Sequence, residues 1–69
     1  MDELQKIYDS EINVSIFWEW DGGILIKLGD EMNGFKEVGG VDKMEDIVPY
    51  LKEKIKLHYP NSTYIKNLQ

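Results

Sequence analysis

Apolar residues recur along the chain in two rhythms, and the change of rhythm divides it into elements. Leu4, Ile7 and Tyr8 fall at helical spacing behind Asp2 and Glu3. Acidic groups there suit the positive end of a helix dipole, and the spacing predicts a helix over residues 2–10. From Ile12 the period drops to two. Ile12, Val14, Ile16, Trp18 and Trp20 alternate with Asn13, Ser15, Phe17 and Glu19; after Asp21-Gly22-Gly23, Ile24, Ile26 and Leu28 alternate with Leu25, Lys27 and Gly29. This is the pattern of a β-hairpin with one buried face. A two-residue loop would pair Trp18 with Leu25 and put Ile24 and Ile26 on the other face of the sheet from the tryptophans. A three-residue loop pairs Trp20 with Ile24, Trp18 with Ile26 and Ile16 with Leu28, and it keeps the apolar sets together. A slip of one residue turns every side chain over, so the second register is expected. Gly23 then supplies the left-handed residue such loops use.

Gly29-Asp30-Glu31-Met32-Asn33-Gly34 forms a second turn and Phe35-Lys36-Glu37-Val38 a third strand, which Gly39-Gly40 ends. Phe35 and Val38 lie an odd number of residues apart, so one of them points away from the core unless a bulge intervenes. The last large element begins near Asp42, where Asp42 and Glu45 have the spacing of a capping box. Met44, Ile47, Val48, Leu51, Ile55 and His58 share one helical stripe. Pro49 interrupts it, since mid-helix it would break the bond to the carbonyl of Glu45. A helix starting at Asp46 places Pro49 in the first turn, where its missing donor has no acceptor to lose. One element with an irregularity over residues 45–49 is therefore expected. Pro60 stops it, and Tyr64, Ile65 and Leu68 allow a last helical turn in the tail.

The predicted fold class is α+β: a two-layer sandwich in the order helix, three-stranded antiparallel β-meander, helix, with both helices on one face of the sheet. Residues 1–60 form a single αβββα domain, and 61–69 a C-terminal tail or short helical turn packed on it. The face carrying Val14, Ile16, Trp18, Ile26 and Leu28 is the large apolar surface available to the helices. A domain this small buries only about 60% of its unfolded surface, so Trp18 is expected inside and the two tryptophans are expected to supply much of the core.

The order of elements resembles that of double-stranded-RNA-binding domains over roughly residues 2–58. That family holds phosphates with lysines at the start of its second helix. Here the matching stretch, Val41-Asp42-Lys43-Met44-Glu45-Asp46, has three acids and one lysine, which would repel a phosphate backbone.

Composition narrows the function. The chain of 69 residues has no cysteine and a formal net charge of −5, which excludes disulfides and thiolate metal sites and argues against nucleic acid as a ligand. No run of residues is long and apolar enough to span a membrane, and no signal segment opens the chain, so a cytoplasmic location is expected. One histidine, His58, would have to serve any His-assisted nucleophile; on the apolar stripe at a helix end it reads as a half-buried structural residue, and no enzyme is expected. Asp30 to Gly34 has oxygen ligands around a glycine, but it lacks the alternate ligands and distal Glu of a calcium loop and is what a tight turn uses. No cofactor or metal is expected.

Charge is unevenly spread. Residues 1–46 hold 12 acids against 4 lysines, a net of −8, while residues 47–69 hold one acid and four lysines, a net of +3. Glu19, Asp21, Asp30, Glu31 and Glu37 give the sheet end a negative field suited to a basic protein partner. In the expected register Phe17, Glu19, Leu25 and Lys27 point to the open face of the sheet, Phe17 opposite Lys27 and Glu19 opposite Leu25, an aromatic-centred patch ringed by acids. The expected function is that of a small acidic non-enzymatic protein binding another protein through this face or an edge strand, as an inhibitor, adaptor or immunity-type protein. The alternatives are a nucleic-acid-binding module using Lys52, Lys56 and Lys66 of the last helix and tail, and a homodimer pairing its exposed strand edges.

Overall fold

A computed structural model describes residues 2–68; Met1 and Gln69, the outer ends of the predicted domain and tail, lie outside it. Helix α1 (Asp2–Asp9) leads into strands β1 (Val14–Glu19), β2 (Gly23–Asp30) and β3 (Gly34–Val41). A 3₁₀ turn (Met44–Asp46) then runs into α2 (Ile47–His58), and α3 (Thr63–Lys66) follows. The sheet is antiparallel in the order β1-β2-β3, and the helices cover one of its faces, as the alternation of apolar residues requires. Pro49 sits in the first turn of α2, preceded by the expected irregularity. The capping box does not form: neither Lys43 before the 3₁₀ turn nor Asp46 before α2 caps with its side chain.

The hairpin keeps its predicted facing but not its predicted register. Val14 faces Leu28, Ile16 faces Ile26, Trp18 faces Ile24 and Glu19 faces Gly23, a shift of two residues from the pairing expected. The turn causes it. Gly22 N donates to the Glu19 carbonyl at 2.9 Å, closing the reversal before Trp20 can join the strand, and Gly23 takes the left-handed conformation at φ +89°. Because the side-chain period is two, a two-residue shift changes every partner and no face.

The expected core is also corrected. Trp18 is 64% exposed and Trp20 95% exposed. Ile24, Ile26 and Leu28 of the central strand are buried instead, packed with Ile7, Ile12, Ile47, Leu51, Ile55, Tyr64 and Ile65. Central position decides this. Helix α2 packs toward β3, and α1 borders β1 at Val14 and Ile16, so no described element covers the outer half of the edge strand. Strand β3 also corrects its predicted end: it runs through Gly39 and Gly40 to Val41. Gly39 pairs with Ile26 there, and the Tyr50 hydroxyl of α2 lies where a Cβ at this position would stand.

The chain's ends are tied together. Tyr64 donates its hydroxyl to Glu3 Oε1 at 2.7 Å, joining α3 to α1. That bond holds the Glu3 carboxyl below its usual range, while burial, and then the Glu3 charge, push the Tyr64 phenol up to about 12. A phenol pushed up in the fold favours the neutral form. Its contribution to stability is complete below about pH 10, the unfolded value, and is lost as pH rises toward 12. Ultraviolet titration of the four tyrosines is expected to leave one un-ionised until about pH 12, and Tyr64→Phe is expected to remove that late step.

Candidate interaction surface

Among the described residues, none forms a second layer on the face of the sheet turned away from the helices. From β1 that face presents Ser15, Phe17 and Glu19, and from β2 Leu25 and Lys27. The four residues expected on this face are all on it, with new neighbours: Phe17 faces Leu25, Ser15 faces Lys27 and Glu19 faces Gly23.

Strand β3 adds two residues that the sequence left undecided. Between Leu28 and Gly29 the β2–β3 register shifts, so that Leu28 faces Glu37 while Gly29 faces Phe35, leaving Lys36 as the extra residue of a bulge. The bulge absorbs the odd spacing, and Phe35 and Val38 both come to the open face. The odd spacing was the sole signal in the sequence; which face they would share was not written there.

Phe17 and Val38 are each 53% exposed and Leu25 41%, with Phe35 at the margin. Lys27 stands at the centre. Its Nζ lies 5.6 Å from the Phe17 ring centroid and 5.2 Å from that of Phe35, so its ammonium is shared between two aromatic faces and its methylenes lie along them. Depressions adjoin it on both sides. One of about 330 Å³ is lined by Phe17, Glu19, Gly22, Gly23, Leu25 and Lys27. The other, between Phe17 and Phe35, ends at Asp30 and Glu31. Acids therefore stand at both ends of the apolar strip.

Two of the acids assigned to the sheet's field are committed elsewhere. Glu37 faces the helix layer, where His58 Nε2 lies 2.9 Å from its Oε1 and Lys54 Nζ 3.7 Å from its Oε2; the His58 bond first, then Lys54, holds its carboxyl below the usual range. Asp30 accepts from the Asn33 backbone N–H and the Asn13 amide, each at 2.7 Å, as the anchor of its turn. Those bonds, chiefly the backbone one, lower its pKa and occupy the lone pairs a cation would need. Among the described residues no three His, Asp or Glu side chains gather into a group able to hold a metal. No helix among them is long and apolar enough to cross a membrane.

Fold and surface together define a small two-layer α+β protein with one open sheet face. Comparison with protein-family models, with characterised proteins and with solved structures finds no match.

Proposed function

We propose that this protein is a non-enzymatic cytoplasmic binding protein whose open sheet face engages a basic surface of another protein. The observation that carries the reading is the uncovered strip of Phe17, Leu25, Phe35 and Val38 around Lys27. Four large apolar residues lie contiguous on a face that no element among the described residues shields. Such a strip contributes little to the folded monomer and offers the aromatic, water-excluding centre of an interface. Glu19, Asp21 and Glu31 around it favour a partner bearing Lys or Arg at its rim, and they would act mainly on the rate of encounter. The single histidine engages Glu37 between α2 and β3, which suits a structural role.

The test is a matched pair of captures from the source organism's lysate, wild type against Phe17→Ser, followed by reconstitution with the purified partner at two salt concentrations. Phe17→Ser is expected to abolish the association while costing less than about 1 kcal/mol of stability, because the ring is half in water already. Equal capture by both forms would reject the face as the site. In a gel-retardation assay at physiological salt neither dsRNA nor dsDNA is expected to bind, given the net charge of −5 and the engagement of Lys54 with Glu37. Micromolar binding with a steep salt slope would favour the lysine-bearing α2 instead.

A further inference from the structure

The other unprotected surface is the free edge of β1. Natural sheets guard such edges with charge, proline or a bulge. Strand β3, the opposite edge, has a bulge at Lys36 and two glycines near its end. Strand β1 reads Val-Ser-Ile-Phe-Trp-Glu, with neither proline nor lysine, pairs without irregularity, and leaves Ile16, Phe17 and Trp18 exposed in succession.

Its hydrogen-bonding groups can be assigned. The Asn13 carbonyl accepts from Gly29 N at 2.8 Å, and in an antiparallel ladder alternate residues point the same way. Asn13, Ser15, Phe17 and Glu19 therefore bond inward to β2, whereas Val14, Ile16 and Trp18 turn their N–H and C=O groups outward. These three are symmetric about Ile16. We infer that β1 pairs antiparallel with β1 of a second copy of this chain, about a two-fold axis at Ile16, to make a continuous six-stranded sheet.

In that register Ile16 faces the second copy's Ile16 and Trp18 faces its Val14. Every outward group between Val14 and Trp18 is paired, which neither Val14 nor Trp18 as the centre achieves. A two-fold axis normal to the sheet puts the helix layers of both copies on the same side. Trp18 then arrives over the second copy's Val14, beside a groove of about 300 Å³ lined by Leu4, Tyr8, Ile12, Val14 and Ile16. Knob and groove belong to the same chain, four residues apart across the symmetry centre, so each copy fills the other. The charges permit it: Glu19, the charged residue of β1, lies opposite Asn13, and no two acids of the strand meet. Aromatic side chains bury roughly 150–250 Å² each, so Tyr8 and Trp18 with Leu4 and Ile16 hide on the order of 500 Å² per copy. The pair reaches about 1,000 Å², where specific interfaces begin.

Sedimentation equilibrium of the full chain at micromolar concentration tests this, with hydrogen exchange and NMR on the same samples. The expected mass is twice 8.1 kDa, with the Val14, Ile16 and Trp18 amides protected only at concentrations where the dimer forms. A mixture of labelled and unlabelled chains is expected to show an intermolecular contact between the α-protons of Ser15 and Phe17, which face each other without hydrogen bonds in this register. Ile16→Lys sets two lysines face to face at the axis and is expected to weaken association by roughly 100-fold. Trp18→Ser, at a site exposed in the monomer, gives the same loss should Ile16→Lys fold poorly. Val38→Ser, on the open face at the far edge of the sheet, leaves the dimer intact, so the two surfaces fail independently. A monomer at about 100 μM with freely exchanging Ile16 and Trp18 amides would overturn the inference. So would a dimer that Val38→Ser dissolves, or one lacking the Ser15–Phe17 contact.

Discussion

Removing residues 61–69 is expected to abolish cooperative folding. Tyr64 and Ile65 are 2% and 3% exposed and belong to the same core as Ile26 and Leu51, although they lie beyond Pro60 in a helix of four residues. Burying a side chain of this size contributes about 1.5–3 kcal/mol, and its loss also opens Ile7 and the inner face of α1 to water. A cost of about 4–6 kcal/mol is comparable to the whole stability of a chain this size, at roughly 0.05–0.15 kcal/mol per residue. Ser62 supports the segment by capping α3, its hydroxyl accepting from Ile65 N. Far-UV circular dichroism during heating is the direct check: the truncated chain is expected to lack a sharp transition. A melt within a few degrees of the intact protein would mean that α3 is peripheral. Phe17, on the opposite face of the sheet, is 53% exposed with the tail in place.

Ile26→Ala is expected to cost about 3–5 kcal/mol, and Trp18→Ala less than about 1 kcal/mol of monomer stability. The larger residue is the less important one because of where each sits. Ile26 is fully buried at the centre of the middle strand, between Ile16 and Gly39 across the sheet and below α2. Truncation there leaves a cavity that a close-packed interior refills only in part. Trp18 stands at the outer end of an edge strand with most of its surface in water, and alanine gives up little. Urea denaturation of samples shown to be monomeric by sedimentation separates the two. Trp18→Ala as the more damaging change would place the indole under a helix and refute its observed exposure.

Much of this architecture follows from the sequence by itself. Period-two alternation over residues 12–20 and 24–29 determined that two strands pair and which residues share a face. The stripe from Ile47 to His58 determined α2, and Pro49 determined where its regular part could begin. These are properties of local geometry, the repeat of a strand or a helix and the φ of proline, and they do not depend on neighbours. The open-face positions of Phe17, Glu19, Leu25 and Lys27 were legible for the same reason.

Tertiary structure decided the rest. Parity left registers two residues apart equivalent in facing, and one hydrogen bond, Gly22 N to the Glu19 carbonyl, chose between them by taking Trp20 into the loop. The bulge at Lys36 brought Phe35 to the open face, an outcome that depends on how β3 meets β2. Burial was decided by which strand lies in the middle. An alternating pattern records that one face is apolar, but Ile26 and Trp18 carry the same mark within it. Only the layer of helices, too narrow to cover all three strands, makes the first the core and leaves the second on the edge.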